Sequence, residues 1–179
     1  MPGTAHIALL AHYNEWMNNK LYEAAAKLPP AELAADRKAF FGSLLATLNH
    51  IAVADTIWLK RFAADPRFAD ALAPIAALPA PAALDQMLFD SLEALRGRRT
   101  LLDRQVLEWA PTLRDHDLHA VIAYRRYNGD AHHKALGQLL LHFFNHQTHH
   151  RGQATTLLTQ AGVDVGATDL LLLVPEAEL

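Results

Sequence analysis

The chain has 179 residues, 51% of them apolar and 20% charged, with a net charge of −3 and no cysteine. That length and balance predict one globular domain over 1–179. The mild negative charge leaves no basic footprint for nucleic acid. The lack of cysteine excludes disulfides, zinc ribbons and thiol nucleophiles, and fits a reducing, cytoplasmic setting.

The N-terminus, Met1-Pro2-Gly3-Thr4, has no basic stretch followed by an apolar core, so no signal peptide is expected. No apolar run reaches the ~20 residues that cross a bilayer, so a soluble protein without a membrane partner is predicted. A first helix is predicted over 4–27, stopped by Pro29-Pro30. Its Tyr13, Asn14, Trp16 and Asn18 are expected to alternate between core and surface. A second helix starts at Ser43, an N-cap after Gly42, and runs to 64, before Pro66. Its main apolar face passes through Leu44, Leu48, Ile51, Asp55 and Leu59. His50 falls on a secondary stripe with Ala46, Val53 and Ile57. A connection rich in Pro and Ala follows over 65–81, then a third helix over 82–109 that ends before Pro111.

The pattern then changes. Val121-Ile122-Ala123-Tyr124 and Tyr127-Asn128-Gly129-Asp130 predict a small β-hairpin within 117–133, because Asn-Gly between β-prone residues favours a tight turn. A fourth helix is predicted over 134–161, closed by Gly162. The apolar tail, 170–174, is expected to pack back on the body. Together these elements predict an all-α four-helix bundle with a β-hairpin between helices three and four.

Four of the eleven histidines lie in the fourth helix between His142 and Gln153. A core stripe runs through Leu136, Leu139, Phe143, His146, His150, Ala154, Leu157 and Ala161 in steps of three or four. His146 and His150 replace apolar residues in it. Two imidazoles four residues apart point the same way from adjacent turns and can share one metal ion. Satisfaction by core carboxylates or carbonyls is the alternative. His142 and His149 lie ~80–100° further round, at the rim or in solvent. His142 is placed to support a ligand or guard a pocket mouth.

Open metal sites usually have three protein ligands. His50 is the candidate third. Asp55 has three readings: a further ligand, a partner to a ligating histidine, or half of a buried ion pair. His116, His119, His132 and His133, beside the hairpin, are expected to be mostly exposed. Arg151 either answers an anionic substrate group or is a solvated surface residue. The chain has no HExxH, no Glu-x-x-His on a helix, no GxGxxG and no P-loop. No general base or nucleophile is identified.

Asn145-His146 with Thr148-His149-His150-Arg151-Gly152-Gln153 resembles the signature of the DinB/YfiT-like (damage-inducible) metal-binding four-helix-bundle family. So does Phe41-Gly42-Ser43 through His50, Asp55 and Trp58-Leu59-Lys60-Arg61, and so does Tyr13-Asn14-Glu15-Trp16-Met17-Asn18 on the first helix. The resemblance implies up-down-down-up connectivity, a homodimer, and one divalent metal ion bound by His50, His146 and His150, with nickel or zinc the usual occupant. Characterised relatives include transferases and isomerases that use low-molecular-weight thiols. The implied function is a divalent-metal-dependent enzyme acting on a small-molecule substrate, either a thiol-dependent transferase or isomerase, or a hydrolase. A non-enzymatic metal-binding stress-response bundle is the alternative. A third possibility is a structural bundle whose histidines only hydrogen-bond.

Overall fold

The computed structural model describes residues 3–177. In chain order the elements are α1 (Ala5–Ala25), α2 (Pro30–Ala34), α3 (Leu44–Ala63), α4 (Ala73–Ala76), α5 (Leu92–Trp109), β1 (Val121–Arg125), β2 (Ala131–Ala135) and α6 (Leu136–Gln160). The four long helices are the four predicted ones.

The start and stop signals act as their chemistry requires. Gly42 turns the chain at φ +79°, and the Ser43 side chain then accepts a hydrogen bond from the Ala46 amide at 3.1 Å to open α3. Gly162, also at φ +79°, closes α6. Its amide reaches the Thr159 carbonyl, and the Val163 amide reaches that of Leu158, each at 2.9 Å. This is the double bond of a Schellman ending.

α5 begins ten residues later than the spacing predicts, at Leu92, with Ser91 as its cap. The cause is tertiary. Buried Asn49 on α3 accepts hydrogen bonds from the Leu88 and Phe89 amides and donates to the Phe89 carbonyl. Those backbone groups are therefore taken from any helix through 84–89.

Each long helix packs on two others: α1 on α5 and α6, and α3 on α5 and α6. Paired residues give the directions. Glu23 meets Arg96 and Asn14 meets Asp103, so α1 and α5 are antiparallel. Asp55 meets Arg99 and Phe62 meets Trp109, so α3 and α5 are parallel. His50 meets His150 and Trp58 meets His142, so α3 and α6 are antiparallel. The bundle is up-down-down-up.

β1 and β2 form an antiparallel hairpin, with Val121 opposite Ala135 and Arg125 opposite Ala131. Gly129 takes φ +88° in its turn. Tyr127 ties that turn to the connection before α5 by donating its hydroxyl to the Pro81 carbonyl at 2.7 Å. No helix among the described residues is long and apolar enough to cross a membrane.

The tail meets expectation only in part. It is tethered near α1 where the Tyr13 hydroxyl donates to the Thr168 carbonyl at 2.7 Å. Leu170 and Leu173 are half-buried there, while Leu171, at 76%, and Leu172 remain exposed. The 3-10 turn over Leu170–Leu173 packs against α1, so the tail lies back on the body but buries only part of its apolar surface.

Candidate metal centre

Two helices bring the three predicted histidines together. His146 and His150 project from adjacent turns of α6, and His50 faces them from α3. The three Nε2 atoms stand 3.1 Å (His146–His150), 3.2 Å (His50–His150) and 3.4 Å (His50–His146) apart. His50 and His150 are buried and His146 is half-buried. Nitrogens held tetrahedrally ~2.0–2.1 Å from one ion would stand ~3.3–3.4 Å apart. The observed triangle is close to that.

The tautomers favour the same conclusion. His50 donates from Nδ1 to the Leu84 carbonyl at 2.8 Å, and His150 donates from Nδ1 to Gln153 Oε1 at 2.8 Å. Carbonyl oxygens only accept, so the hydrogen of each neutral ring sits on Nδ1 and its Nε2 presents a lone pair. Lone pairs converging in one buried spot repel unless a cation or proton lies between them. Partners on the far side of a ligating imidazole also fix its orientation.

Electrostatics keep these rings neutral. Burial, reinforced by repulsion from the neighbouring His150 and His50 as a proton arrives, pushes the His146 pKa down to about 3. Burial also lowers His50, against the pull of the Leu84 carbonyl and Asp55. It lowers His150 as well, against its hydrogen bond to Gln153. Neutral imidazole is the form that binds metal. Among the described residues, His50, His146 and His150 are the group of three side chains that can hold an ion.

His50 is 6% exposed, although it lies off the main apolar face of its helix. That face looks at α5, where Asp55 sits. Val53 and Ile57 on the secondary stripe are buried too, because α6, β1 and α2 enclose α3 from other sides. Phe41 covers the cluster, its ring stacked on His50 with centroids 4.0 Å apart and planes at 21°.

Asp55 belongs elsewhere. It pairs with Arg99, which lies 3.0 Å from Asp103. Asp103 accepts from Asn14 at 3.0 Å and Asn18 at 2.9 Å. Arg151 donates to Asn14 and, at 3.1 Å, to Thr148. All six residues from Asp55 to Arg151 in this chain are buried. Asp55 is thus half of a buried ion pair, the third of its readings. Two expectations are corrected here. Arg151 is not solvated, and Asn14 and Asn18 do not face outward. They are held inside the bundle by bonds to residues of other helices, Asn14 and Asn18 to Asp103 and Arg151 to Asn14, which one helix's periodicity cannot reveal.

His142 and His149 are exposed, as predicted. His142 stands at the rim with its ring 5.8 Å from that of His146. Of the hairpin histidines, His116, His119 and His133 are exposed. His132 is half-buried and stacks on Tyr124, with ring centroids 5.3 Å apart.

A cavity of about 430 Å³ opens beside the cluster, lined by His50, Ala54, Trp58, Arg61, Tyr127, His142 and His146 among others. Arg61 belongs to the Trp58-Leu59-Lys60-Arg61 stretch that carries the family resemblance, but no pattern in the sequence assigns it a site role. A hollow of about 490 Å³ between α1, α3 and α5 is larger, but it is lined by Tyr22, Leu33 and Leu92 and no histidine reaches it. The smaller cavity is the functional candidate because it alone of the two adjoins the histidine cluster.

An up-down-down-up bundle with imidazoles from two helices aimed at one point defines a class of helical proteins with a centre able to hold a metal ion. The chain belongs to the DinB family, whose model matches residues 1–178. It is also similar to Protein DinB of Bacillus subtilis (strain 168), with 26% identity over 160 residues, covering 89% of this chain and 88% of that one.

Proposed function

We propose that the protein is a divalent-metal-dependent enzyme acting on a small molecule, with His50, His146 and His150 as the ligands of one nickel or zinc ion. The observation that carries this is the convergence of three Nε2 atoms within 3.4 Å, two of them with lone pairs fixed inward by Leu84 and Gln153. An all-imidazole set suits nickel, zinc or copper. When bound, a divalent ion supplies Lewis acidity that lowers the pKa of a coordinated water or thiol.

The chain's own residues do the rest. Leu84 and Gln153 hold two imidazoles in the binding tautomer. Phe41 shields His50 from water. Trp58, His142 and the hairpin turn wall the cavity. A thiol cosubstrate would bring the thiol group that the cysteine-free sequence lacks, so thiol-dependent transfer or isomerisation is proposed, with hydrolysis the simpler variant. The roomy cavity supports an enzyme over a closed metal-binding bundle. A homodimer and a cytoplasmic setting belong to the same proposal.

Elemental analysis of purified protein tests the ligand set. One equivalent of metal is expected, with loss in His146→Ala and a lower melting temperature after chelation. Activity with a panel of low-molecular-weight thiols tests the reaction class. Full metal content with no turnover across the panel would favour the non-enzymatic bundle.

A further inference from the structure

The cavity beside the histidines is drawn out along α3. Its floor is one stripe of that helix, from His50 through Ala54 and Trp58 to Arg61, in steps of three or four. Eleven residues of helix rise ~16 Å, and side chains lean back toward the helix N-terminus, so the working ends are closer than that. Ala54 leaves open space near the histidine end, Trp58 gives an apolar middle, and Arg61 stands at the far end.

Arg61 is half-buried, with its guanidinium 4.6 Å from the Trp58 ring centre and 4.7 Å from that of Tyr124. The aromatic faces fix its plane. It donates to the Arg125 carbonyl at 3.1 Å, and no carboxylate among the described residues pairs with it. The cavity lining holds a second guanidinium, Arg126, and no Asp or Glu. A cation partly removed from water without a counter-ion is costly to keep, and a guanidinium fork matches a carboxylate's two oxygens.

We propose that this cavity binds an elongated small molecule whose carboxylate sits on Arg61 while its other end reaches the histidine cluster. The second half of that statement rests on the metal proposal; the Arg61 half does not. The middle of the ligand is apolar, to match Ala54, Ile57 and Trp58. Arg151, the basic residue that the sequence singles out, cannot take this role. It is bonded to Asn14 and Thr148 on the α1 side of α6.

Calorimetric titration of the metal-free full-length protein with a medium-chain alkanoate and the matching alkanol reads the Arg61 end alone. The alkanoate is expected to bind about ten-fold more tightly, the scale of one charge-assisted hydrogen-bonded contact. Arg61→Gln should bring the two probes to parity. Arg61→Met, which keeps the packing on Trp58 and Tyr124, should do the same if the glutamine variant misfolds. An ω-mercaptoalkanoate on zinc- or nickel-loaded protein reads both ends, and should bind more tightly than the plain alkanoate. Equal affinities in the wild type, no binding of either probe, or a preference that survives loss of the guanidinium overturns the proposal. Loss of the thiol's advantage alone, with the carboxylate preference intact, counts against the metal and leaves Arg61 in its role.

Discussion

The imidazole of His50 donates its Nδ1 hydrogen to the carbonyl of Leu84, 34 residues away along the chain and 2.8 Å away in space. Leu84 lies in an irregular segment with no helix of its own. That segment is held against α3 by the side chain next to His50. Asn49 donates to the Phe89 carbonyl at 3.0 Å and accepts from the Leu88 amide at 2.8 Å and the Phe89 amide at 3.0 Å. The residue before His50 thus holds the backbone that orients the His50 ring.

Asn49→Ala should therefore weaken metal binding without touching a ligand. The segment would loosen, and His50 would lose its fixed tautomer. Losing the outer partner of a ligating histidine costs about 10–100-fold in affinity. Competition against a chelator of known affinity measures it. Unchanged affinity in a folded variant would contradict the coupling.

Asp55→Ala separates the three roles considered for that residue. It should destabilise the protein by about 3 kcal/mol, because Arg99 stays buried with one partner fewer. Metal content should stay at one equivalent. Denaturant unfolding and elemental analysis read the two effects. Loss of metal with little loss of stability would make Asp55 a ligand.

These outcomes bear on what the sequence made legible. His146 and His150 stood out because two polar residues interrupt an otherwise apolar stripe at helical spacing. The long helices, the Asn-Gly turn and the glycine cap were visible because their signals are local. His50 was weaker, since a single apolar face does not describe a helix enclosed on several sides. Arg151, Asn14 and Asn18 were hidden because their partners are on other helices. The true start of α5 was hidden because Asn49 takes the backbone bonds that helix over 84–89 would need. Arg61 falls in a stretch that resembles the family signature, but its place at the cavity was hidden, since its setting depends on aromatic rings from α3 and the hairpin.

The histidine cluster should make the metal-free protein acid-sensitive. His146 takes up a proton near 6.5 when unfolded, but only near about 3 when folded, because it is buried. Between those values the unfolded state binds more protons. Stability is therefore complete above pH ~6.5 and is lost as the pH falls toward ~3. His50 and His150 shift in the same direction, also through burial. The urea midpoint of chelated protein should fall from pH ~7 to ~5, and fall less in His146→Ala. A midpoint that rises on acidification, or falls equally in the variant, would contradict the buried neutral cluster.

The most direct test is a crystal structure of metal-loaded protein with anomalous data at the absorption edge of the bound element. The account predicts one strong peak within bonding distance of Nε2 of His50, His146 and His150, with the cavity along α3 open beside it. A peak on other residues, or the His50 ring turned away from an ion held by the other two, would contradict it.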